Sequence, residues 1–421
     1  MDRNEEQRIV ITGMGVISPI GNSLEEFSES LQAGRSGIGP ITKIEPERLS
    51  KLEVTIAGEV KNFDPAEVMD TKEIRRTDPV VHYAIAAAEQ ALKQSGMDLK
   101  SEDLDRFGIS VGTGIGCWQT IYDQHKLFFE KGKMHPLAIP MLMPNVIVAG
   151  IASHYGITGT TQTSTAACAA GVEAIIGAYN QIVNPCEEVD VCLAVGAEAA
   201  IKDNTLFGFL KLHALAKGYN DNPEEASRPF DRHRNGFVLA EGAGALTLES
   251  LEHAQRRGAR IFAEVIGYGR TNDAYHLTEP SGIGAEKAML KALRSAGISP
   301  ADVDYINAHG TGTAYNDYHE SVRIQKIFGD NIVVSAVKSM TGHTIGAAGL
   351  IESIATIDGM LRGYAPPTIN FTGTERDDEF SCPPLNYVPN VPQDLNIRIA
   401  LKNGFGFGGQ NSTIVIKRWR E

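Results

Sequence analysis

Positive charge is scarce in this sequence, and long apolar runs are missing. The 39 Lys and Arg residues against 52 Asp and Glu give a net charge of −13, which disfavours broad binding to nucleic acid or anionic membranes. No apolar run approaches the ~18 residues of a membrane span, and residues 1–7 lack the apolar core of a secretion signal. We therefore expect a cytoplasmic protein that binds neither nucleic acid nor a membrane.

Cysteine is also sparse. The five cysteines are odd in number and widely spaced, with no CxxC pair, so neither a disulfide framework nor a zinc site is expected. They are Cys117, Cys168, Cys186, Cys192 and Cys382. The 11 histidines contain no HxxxH-type pairing, so we expect no metal. A reduced enzyme or binding protein fits this composition.

Glycine, by contrast, is abundant. Its 43 residues among 421 gather in short runs such as Gly112–Gly116 and Gly404–Gly409. The second run follows a predicted strand at 397–401, and we interpret it as a loop that brings backbone N–H groups near a ligand. It lacks the GxGxxG spacing, and the chain has no GxxxxGK[ST] motif, so nucleotide binding is not indicated.

A weak internal repeat indicates the architecture. Strand-like segments alternate with Ala-rich helical ones, which is typical of an α/β protein. A helix, a glycine stop and a strand ending in a glycine turn occur at 91–114 and again at 292–312. Two similar halves, 1–260 and 261–421, are the simplest interpretation, and the length fits two domains.

A second similarity follows each copy of the repeat. The segments 168–175 and 346–354 both open an apolar helix with small residues. Because small residues let helices approach closely, we expect these two helices to pack face to face in the centre. Chance similarity between Ala/Gly-rich helices is the alternative, although two echoes in the same order make it weaker.

Three residues are candidates for chemistry. Cys168 lies where a polar stretch gives way to a helical pattern, and free N–H groups and the helix dipole would lower its thiol pKa there. The competing interpretation is a small buried hydrophobe. His309 and His343 each follow a strand pattern, at the ends where open α/β sheets place their sites.

Charged residues cluster beside these histidines. Asp317 and Glu320 share a helix face and would either orient an imidazole or form a solvated surface. Glu352 lies within an apolar run, where an unpaired charge is costly, and Lys338 is its ready partner.

At this point the chain resembles the β-ketoacyl-acyl-carrier-protein synthases, especially the elongating type II enzymes of the thiolase-like condensing group. The resemblance spans essentially the whole chain. Its motifs begin at 9–21, 228–237 and 240–243, and continue at 307–320, 338–343 and 404–409. It implies a duplicated five-layer α/β/α/β/α fold with two similar halves.

The resemblance also implies a catalytic set. Cys168 would carry the acyl chain as a thioester, with the backbone N–H groups of Cys168 and Phe407 binding the oxyanion. His309 and His343 would assist decarboxylation of malonyl-carrier protein and stabilise the enolate, while Lys338 and Glu352 would form a supporting ion pair. The product would be a 3-oxoacyl chain two carbons longer.

Further positions match substrate and partner contacts of that family. Phosphopantetheine, arriving on the acyl carrier protein, would contact Thr278, Thr311 and Thr313, so no resident cofactor is implied. The family also suggests an aromatic gate, an acyl-pocket position and a basic docking patch, with a solvated helix face as the alternative for the patch. The gate residues are Phe209 and Phe407, the acyl-pocket position is Ile115, and the docking patch consists of Arg75 and Arg76. A homodimer is implied, and a heterodimer with a related subunit stays open.

The chain departs from the family pattern in several places. Ala170, Ala240, Gly404 and Gln410 replace usual residues, and Cys117-Trp118 stand where small residues are usual. These changes leave the chain-length preference open. The alternatives to fatty-acid elongation are a polyketide or aryl-polyene ketosynthase, and a non-catalytic chain-length partner, which would usually lack the cysteine. An initiating synthase, with Asn for the second histidine, and a thiolase, with a second catalytic cysteine, are disfavoured.

Overall fold

The computed structural model describes residues 8–420, so the stretch 1–7, for which no secretion signal is expected, lies outside the described residues. The helices are α1 (Leu24–Ala33), α2 (Pro46–Leu49), α3 (Thr71–Ile74), α4 (Pro79–Ser95), α5 (Trp118–Lys131), α6 (Ala138–Leu142), α7 (Val146–Tyr155), α8 (Ala170–Val183), α9 (Asp203–Lys211), α10 (Leu251–Arg256), α11 (Ile283–Ala296), α12 (Ala314–Phe328), α13 (Lys338–Thr341) and α14 (Ala348–Arg362). Among these residues no helix has both the length and the apolar character that crossing a bilayer would need.

The strands are β1 (Ile9–Ile17), β2 (Gly39–Pro40), β3 (Ile56–Ala57), β4 (Phe107–Gly112), β5 (Thr161–Ser164), β6 (Val191–Glu198), β7 (Gly242–Ser250), β8 (Ala263–Asn272), β9 (Tyr305–Asn307), β10 (Val333–Ser335), β11 (Tyr364–Ala365), β12 (Gln393–Asp394), β13 (Ile399–Gly406) and β14 (Gln410–Arg418). Ten of them form one continuous sheet in the order β10-β9-β13-β14-β8-β1-β7-β6-β4-β5.

The duplication is visible in this strand order. In each half the first strand pairs with the fifth, the fifth with the fourth, the fourth with the second, and the second with the third. The first two pairings of each half are antiparallel and the last two are parallel. The halves join where β1 pairs with β8, from Ile9 opposite Val265. The predicted fold of two similar halves is confirmed.

The repeat found in the sequence corresponds to equivalent outer helices. α4 packs on β1, β7 and β6, and α11 packs on β8 and β14. Each ends at a glycine in the left-handed region, Gly96 (φ 68°) and Gly297 (φ 70°), which terminates the helix before the next strand. β7 ends at Ser250 and β8 begins at Ala263, so the proposed boundary at 260 falls between them.

The central layer consists of α8 and α14, which lie between the two half-sheets. Their first turns touch through backbone: a Cβ added to Gly349 would lie 2.3 Å from the Val172 nitrogen, and one added to Gly171 would lie 2.7 Å from the Gly346 carbonyl oxygen. Only glycine permits this approach. The expected face-to-face packing of the two small-residue helices is therefore present, and it places their amino ends side by side.

The glycine run 404–409 differs from the predicted loop. β13 continues through Gly406, a 3-10 turn spans Phe407–Gly409, and β14 begins at Gln410, so the run forms a β-hairpin. The physical reason is close packing: a Cβ on Gly406 would lie 2.8 Å from the Ala166 carbonyl oxygen. The glycines let the strand run directly against the turn that carries Cys168.

Candidate active site

A cavity of about 440 Å³ opens at the end of the central layer. It gathers residues from both halves of the chain. Nine of the residues predicted for the site line it: Ile115, Cys168, Phe209, Thr278, His309, Thr311, Thr313, His343 and Phe407. Lys338 and Glu352 lie buried behind the lining, and Arg75 and Arg76 lie outside it.

Cys168 is held in a 3-10 turn, Ala167–Ala169, immediately before α8. The residue before it, Ala167, takes φ 47°, a left-handed conformation that costs free energy for a residue with a Cβ. In the other half Ile345 takes φ 46° at the start of the 3-10 turn, Ile345–Ala347, that precedes α14. The duplicated fold thus builds the same sharp turn twice, and only the first copy carries a thiol.

The thiol environment differs from the sequence-based expectation. Burial raises the pKa of Cys168 to about 12. Lys338 and the backbone N–H groups of Phe407 and Cys168 oppose this rise, while Glu198 adds to it. The N–H groups are therefore present, but the expected net lowering of the pKa was wrong, because removal of the thiolate from water costs more than these contacts return.

His309 follows β9 in a loop whose backbone is held by two buried carboxylates. Glu320 accepts the N–H groups of His309 at 2.7 Å and Gly310 at 2.9 Å. Asp317 accepts those of Thr311 at 2.9 Å and Gly312 at 3.0 Å. The interpretation of these acids as a solvated surface was wrong: both are buried, and they orient the loop rather than the imidazole ring.

His343 follows α13 and meets the turn that begins α14. Its Nδ1 accepts the backbone N–H of Ile345 at 3.2 Å, and its Nε2 is buried without a partner among residues 8–420. The backbone also fixes the residue, because His343 donates its N–H to the Val238 carbonyl at 2.7 Å. The unpartnered Nε2 is therefore free to contact a substrate.

The three candidate catalytic side chains converge. Ligand-type atoms of Cys168, His309 and His343 all lie within 4.8 Å of one another, and the two imidazole ring centres are 5.5 Å apart. Like His343, His309 has a buried ring nitrogen, Nδ1, with no partner in the described part of the chain. Three such side chains could approach a metal ion, and the expectation of no metal stays a prediction.

Both imidazoles are held neutral. Burial lowers the pKa of His309 and of His343 well below the ordinary value, and Lys338 adds to the effect on each. Lys402 also lowers both values. At neutral pH each ring therefore offers one N–H donor and one bare nitrogen.

Lys338 and Glu352 form the ion pair expected from the resemblance, with Nζ 2.6 Å from Oε1. Lys338 also donates to the His309 carbonyl at 2.6 Å. A second lysine, Lys402, was not predicted from the sequence; its Nζ lies 2.6 Å from Glu352 Oε2. Lys402 is fully buried. The sequence signal that could have revealed it is a lysine within a strand segment, β13, that the sheet must bury.

Aromatic rings enclose the site. Phe237 packs edge-on against His343 with ring centres 5.2 Å apart, and Phe209 packs edge-on against Phe237 at 5.1 Å. Phe405 lies 5.8 Å from His309. The resemblance pointed to Phe209 and Phe407 but not to Phe237 or Phe405, which are the rings in contact with the histidines.

The remaining predicted positions are three threonines that line the cavity and several residues that lie outside it. Thr311 and Thr313 share a hydroxyl hydrogen bond of 2.9 Å, and Thr278 is in an exposed loop. Trp118 begins α5 and donates to Asn204 at 3.3 Å, so it does not line the cavity. Arg75 ends α3 and is exposed, as is Arg76.

Fold and site together define a class: a duplicated α/β protein whose cysteine, on a strained turn, faces two neutral histidines in a narrow cavity. Comparison with known proteins identifies the family. Residues 6–254 match the family described as Beta-ketoacyl synthase, N-terminal domain, and residues 262–372 match Beta-ketoacyl synthase, C-terminal domain. The chain belongs to the β-ketoacyl synthase family, and it is an acyltransferase.

Curated relatives and solved structures agree with this. The chain is 40% identical to 3-oxoacyl-[acyl-carrier-protein] synthase 2 of Synechocystis sp. and 41% identical to that of Coxiella burnetii; the first match covers 99% of both chains, and the second covers 98% of this chain and 99% of the relative. Among solved structures, the ishigamide ketosynthase/chain length factor matches with a TM-score of 0.90 at 35% identity, covering 98% of this chain and 99% of that one. AntDE:AntF, a type II ketosynthase in complex with its acyl-carrier protein, matches with a TM-score of 0.87 at 31% identity, with the same coverage.

Proposed function

We propose that this chain is a 3-oxoacyl-[acyl-carrier-protein] synthase that elongates fatty acids by two carbons through decarboxylative Claisen condensation. The observation that carries the proposal is the convergence of the Cys168 thiol and two imidazoles, each with an unpartnered nitrogen, within 4.8 Å. Full-length similarity to synthases of that name supports the substrate class.

In the first half-reaction the Cys168 sulfur attacks the thioester carbonyl of an acyl-carrier protein. The acyl carbon–sulfur bond to the carrier breaks, a new thioester forms on Cys168, and the thiol proton ends on the departing carrier sulfur. The N–H groups of Cys168 and Phe407, which act to lower the pKa of the thiol, bind the carbonyl oxygen as negative charge develops on it. Since the resting thiol is protonated, attack requires transfer of its proton to a base in the cavity.

In the second half-reaction malonyl-carrier protein occupies the vacated cavity. His309 and His343 donate N–H groups to its thioester oxygen, so that loss of CO₂ leaves a stabilised enolate. The enolate carbon attacks the acyl group on Cys168, the carbon–sulfur bond breaks, and the 3-oxoacyl product departs on the carrier. The released Cys168 thiolate then takes up a proton from solvent, which replaces the one that left on the first carrier.

The proposed function also includes the partner protein, the oligomeric state and the cellular location. The phosphopantetheine arm arrives with the carrier protein, passes Thr278, Thr311 and Thr313, and needs no resident cofactor or metal. Arg75 and Arg76 supply a docking patch for an acidic carrier. The enzyme acts in the cytoplasm as a homodimer.

Mass spectrometry of the protein incubated with a panel of acyl-carrier proteins tests this function. We expect a mass increase equal to the acyl group in the wild-type protein and none in Cys168→Ala. Addition of malonyl-carrier protein should then discharge the acyl group as a product two carbons longer. Acylation of Cys168→Ala would refute the nucleophile assignment.

A polyketide or aryl-polyene ketosynthase is the second candidate. It is favoured by the likeness to the ishigamide ketosynthase/chain length factor and to AntDE:AntF. The same panel separates the candidates, because a fatty-acid enzyme should prefer saturated acyl chains and a polyketide enzyme 3-oxo or polyunsaturated ones.

A further inference from the structure

The buried face of the two-histidine site carries four charged side chains from four elements. These are Glu320 on α12, Lys338 on α13, Glu352 on α14 and Lys402 on β13. All four are buried, and their formal charges cancel. Burying so many charges is costly unless each is paired, so the arrangement of each pair matters.

Lys402 and Lys338 share one carboxylate. Each oxygen of Glu352 lies 2.6 Å from one ammonium, Oε1 from Lys338 and Oε2 from Lys402. Lys402 also donates to the Ala308 carbonyl at 3.3 Å and to the Asn403 carbonyl. It therefore bridges the end of β9, the strand β13 and the helix α14.

These contacts fix the peptide units on both sides of His309. The His309 N–H goes to Glu320 at 2.7 Å, and its carbonyl accepts from Lys338 at 2.6 Å. The preceding carbonyl, that of Ala308, accepts from Lys402. Lys402 is thus one of three charged groups that set the position of the His309 backbone, and it does not line the cavity.

We propose that Lys402 is a positioning residue of the two-histidine site: its ammonium fixes the peptide that carries His309 and supplies a second buried positive charge behind the two imidazoles. The proposal rests on the proposed function, because neutral imidazoles have a role only in the condensation reaction. Without Lys402, the carboxylate of Glu352 would keep only one cation, Lys338.

The charges around the rings support this assignment. Burial is the main cause that lowers the pKa values of the two rings. Lys338 and Lys402 face both histidines and lower the values further, and His343 does the same for His309. Burial lowers the pKa of Lys402 itself to about 8, against the attraction of Glu352 and Glu320. Lys402 is therefore charged in the acid range, where the histidines would otherwise gain protons.

The test is a titration of both imidazoles by NMR in protein labelled with ¹³C-histidine, with signals assigned from His309→Gln and His343→Gln. We expect neither signal to titrate between about pH 8 and 6 in the wild-type protein. In Lys402→Met both midpoints should rise by at least about one unit, a tenfold change in proton affinity. Unchanged midpoints in Lys402→Met would overturn the proposal.

The double variant Lys402→Met/Glu320→Gln is the matched control. It keeps the apolar side chain at 402 but restores neutrality, so most of the shift in midpoints should disappear. If the double variant keeps the full shift, the effect is not one of charge and the proposal fails. If Lys402→Met does not fold, Lys402→Gln replaces it. Independently of either variant, the proposal is overturned if the wild-type imidazoles titrate at or above pH 6.5.

Activity provides the second readout. The acid limb of the condensation rate should move to higher pH by the same amount as the midpoints in Lys402→Met. At pH 8 kcat should fall up to tenfold, with KM for the carrier unchanged, because Lys402 does not touch the cavity. Absence of condensation in the wild-type protein would instead refute the proposed function and leave the NMR result to decide the role of Lys402.

Discussion

Nδ1 of His343 accepts the backbone N–H of Ile345 at 3.2 Å. Since a neutral imidazole has one bare and one protonated nitrogen, this contact assigns the hydrogen of His343 to Nε2, which faces the cavity without a partner among the described residues. The ring is thereby prepared as a donor. It cannot serve as a base through Nε2 without first losing that hydrogen.

Replacement of His343 should therefore separate the two half-reactions. In His343→Ala we expect condensation to fall about 10²–10³-fold, as for loss of one oxyanion donor, while acylation of Cys168 stays within a few-fold. Single-turnover assays of each half-reaction provide the measurement. His125→Ala, on an exposed helix position, is the control. Equal losses in both half-reactions would contradict the donor assignment.

The protonated thiol predicts an unusual reactivity profile. Because the thiolate is the nucleophile and burial raises the pKa of Cys168 to about 12, its alkylation by iodoacetamide should accelerate about tenfold per pH unit up to about pH 10. An ordinary thiol would reach a plateau above its pKa of about 8.5. The measurement uses Cys186→Ser, which removes an exposed thiol. A plateau near pH 7 would show an activated resting thiolate.

The sequence predicted the catalytic side chains better than it predicted the residues that hold them in place. Cys168, His309 and His343 could be found because their segments have a pattern, a strand followed by a small-residue or glycine turn. Asp317 and Glu320 were identified, but their burial depends on how α12 packs against the loop after β9, which periodicity does not reveal. The contacts of Lys402 depend on three elements distant in the chain, so no local pattern could indicate them.

The fold, too, has features that the sequence predicted and features that it did not. The repeat and the two small-residue helices predicted two halves, because each motif is local. The loop predicted at 404–409 is limited to the turn Phe407–Gly409, because β13 continues through Gly406, which packs against the turn that carries Cys168. The net pKa of Cys168 was misjudged for a similar reason: the helix position was visible in the sequence, and the depth of burial was not.

The contact between α8 and α14 predicts a steric limit on Gly349. Because an added Cβ would lie 2.3 Å from the Val172 nitrogen, Gly349→Val should destabilise the protein by about 3 kcal/mol, the upper range for overpacked cores. Gly208→Ala is the control, since within residues 8–420 no atom beyond its own helix turn lies within 4 Å of its added Cβ. It should be neutral or slightly stabilising. Thermal unfolding of both variants is the measurement, and equal melting temperatures would contradict the packing argument.

The docking patch makes the last prediction. Arg75 and Arg76 are exposed, and no ion pair among residues 8–420 uses them, so their charge is available to an acidic carrier. In Arg75→Glu/Arg76→Glu we expect KM for acyl-carrier protein to rise at least tenfold at low salt, with a smaller effect as salt screens the charges. KM for a short acyl-pantetheine thioester should stay unchanged, because neither residue lines the cavity. Arg256→Glu/Arg294→Glu makes the same change in net charge elsewhere on the surface and should leave both KM values near wild type. An equal rise for carrier and pantetheine substrates would place the effect in the site and eliminate the patch as the carrier's docking surface.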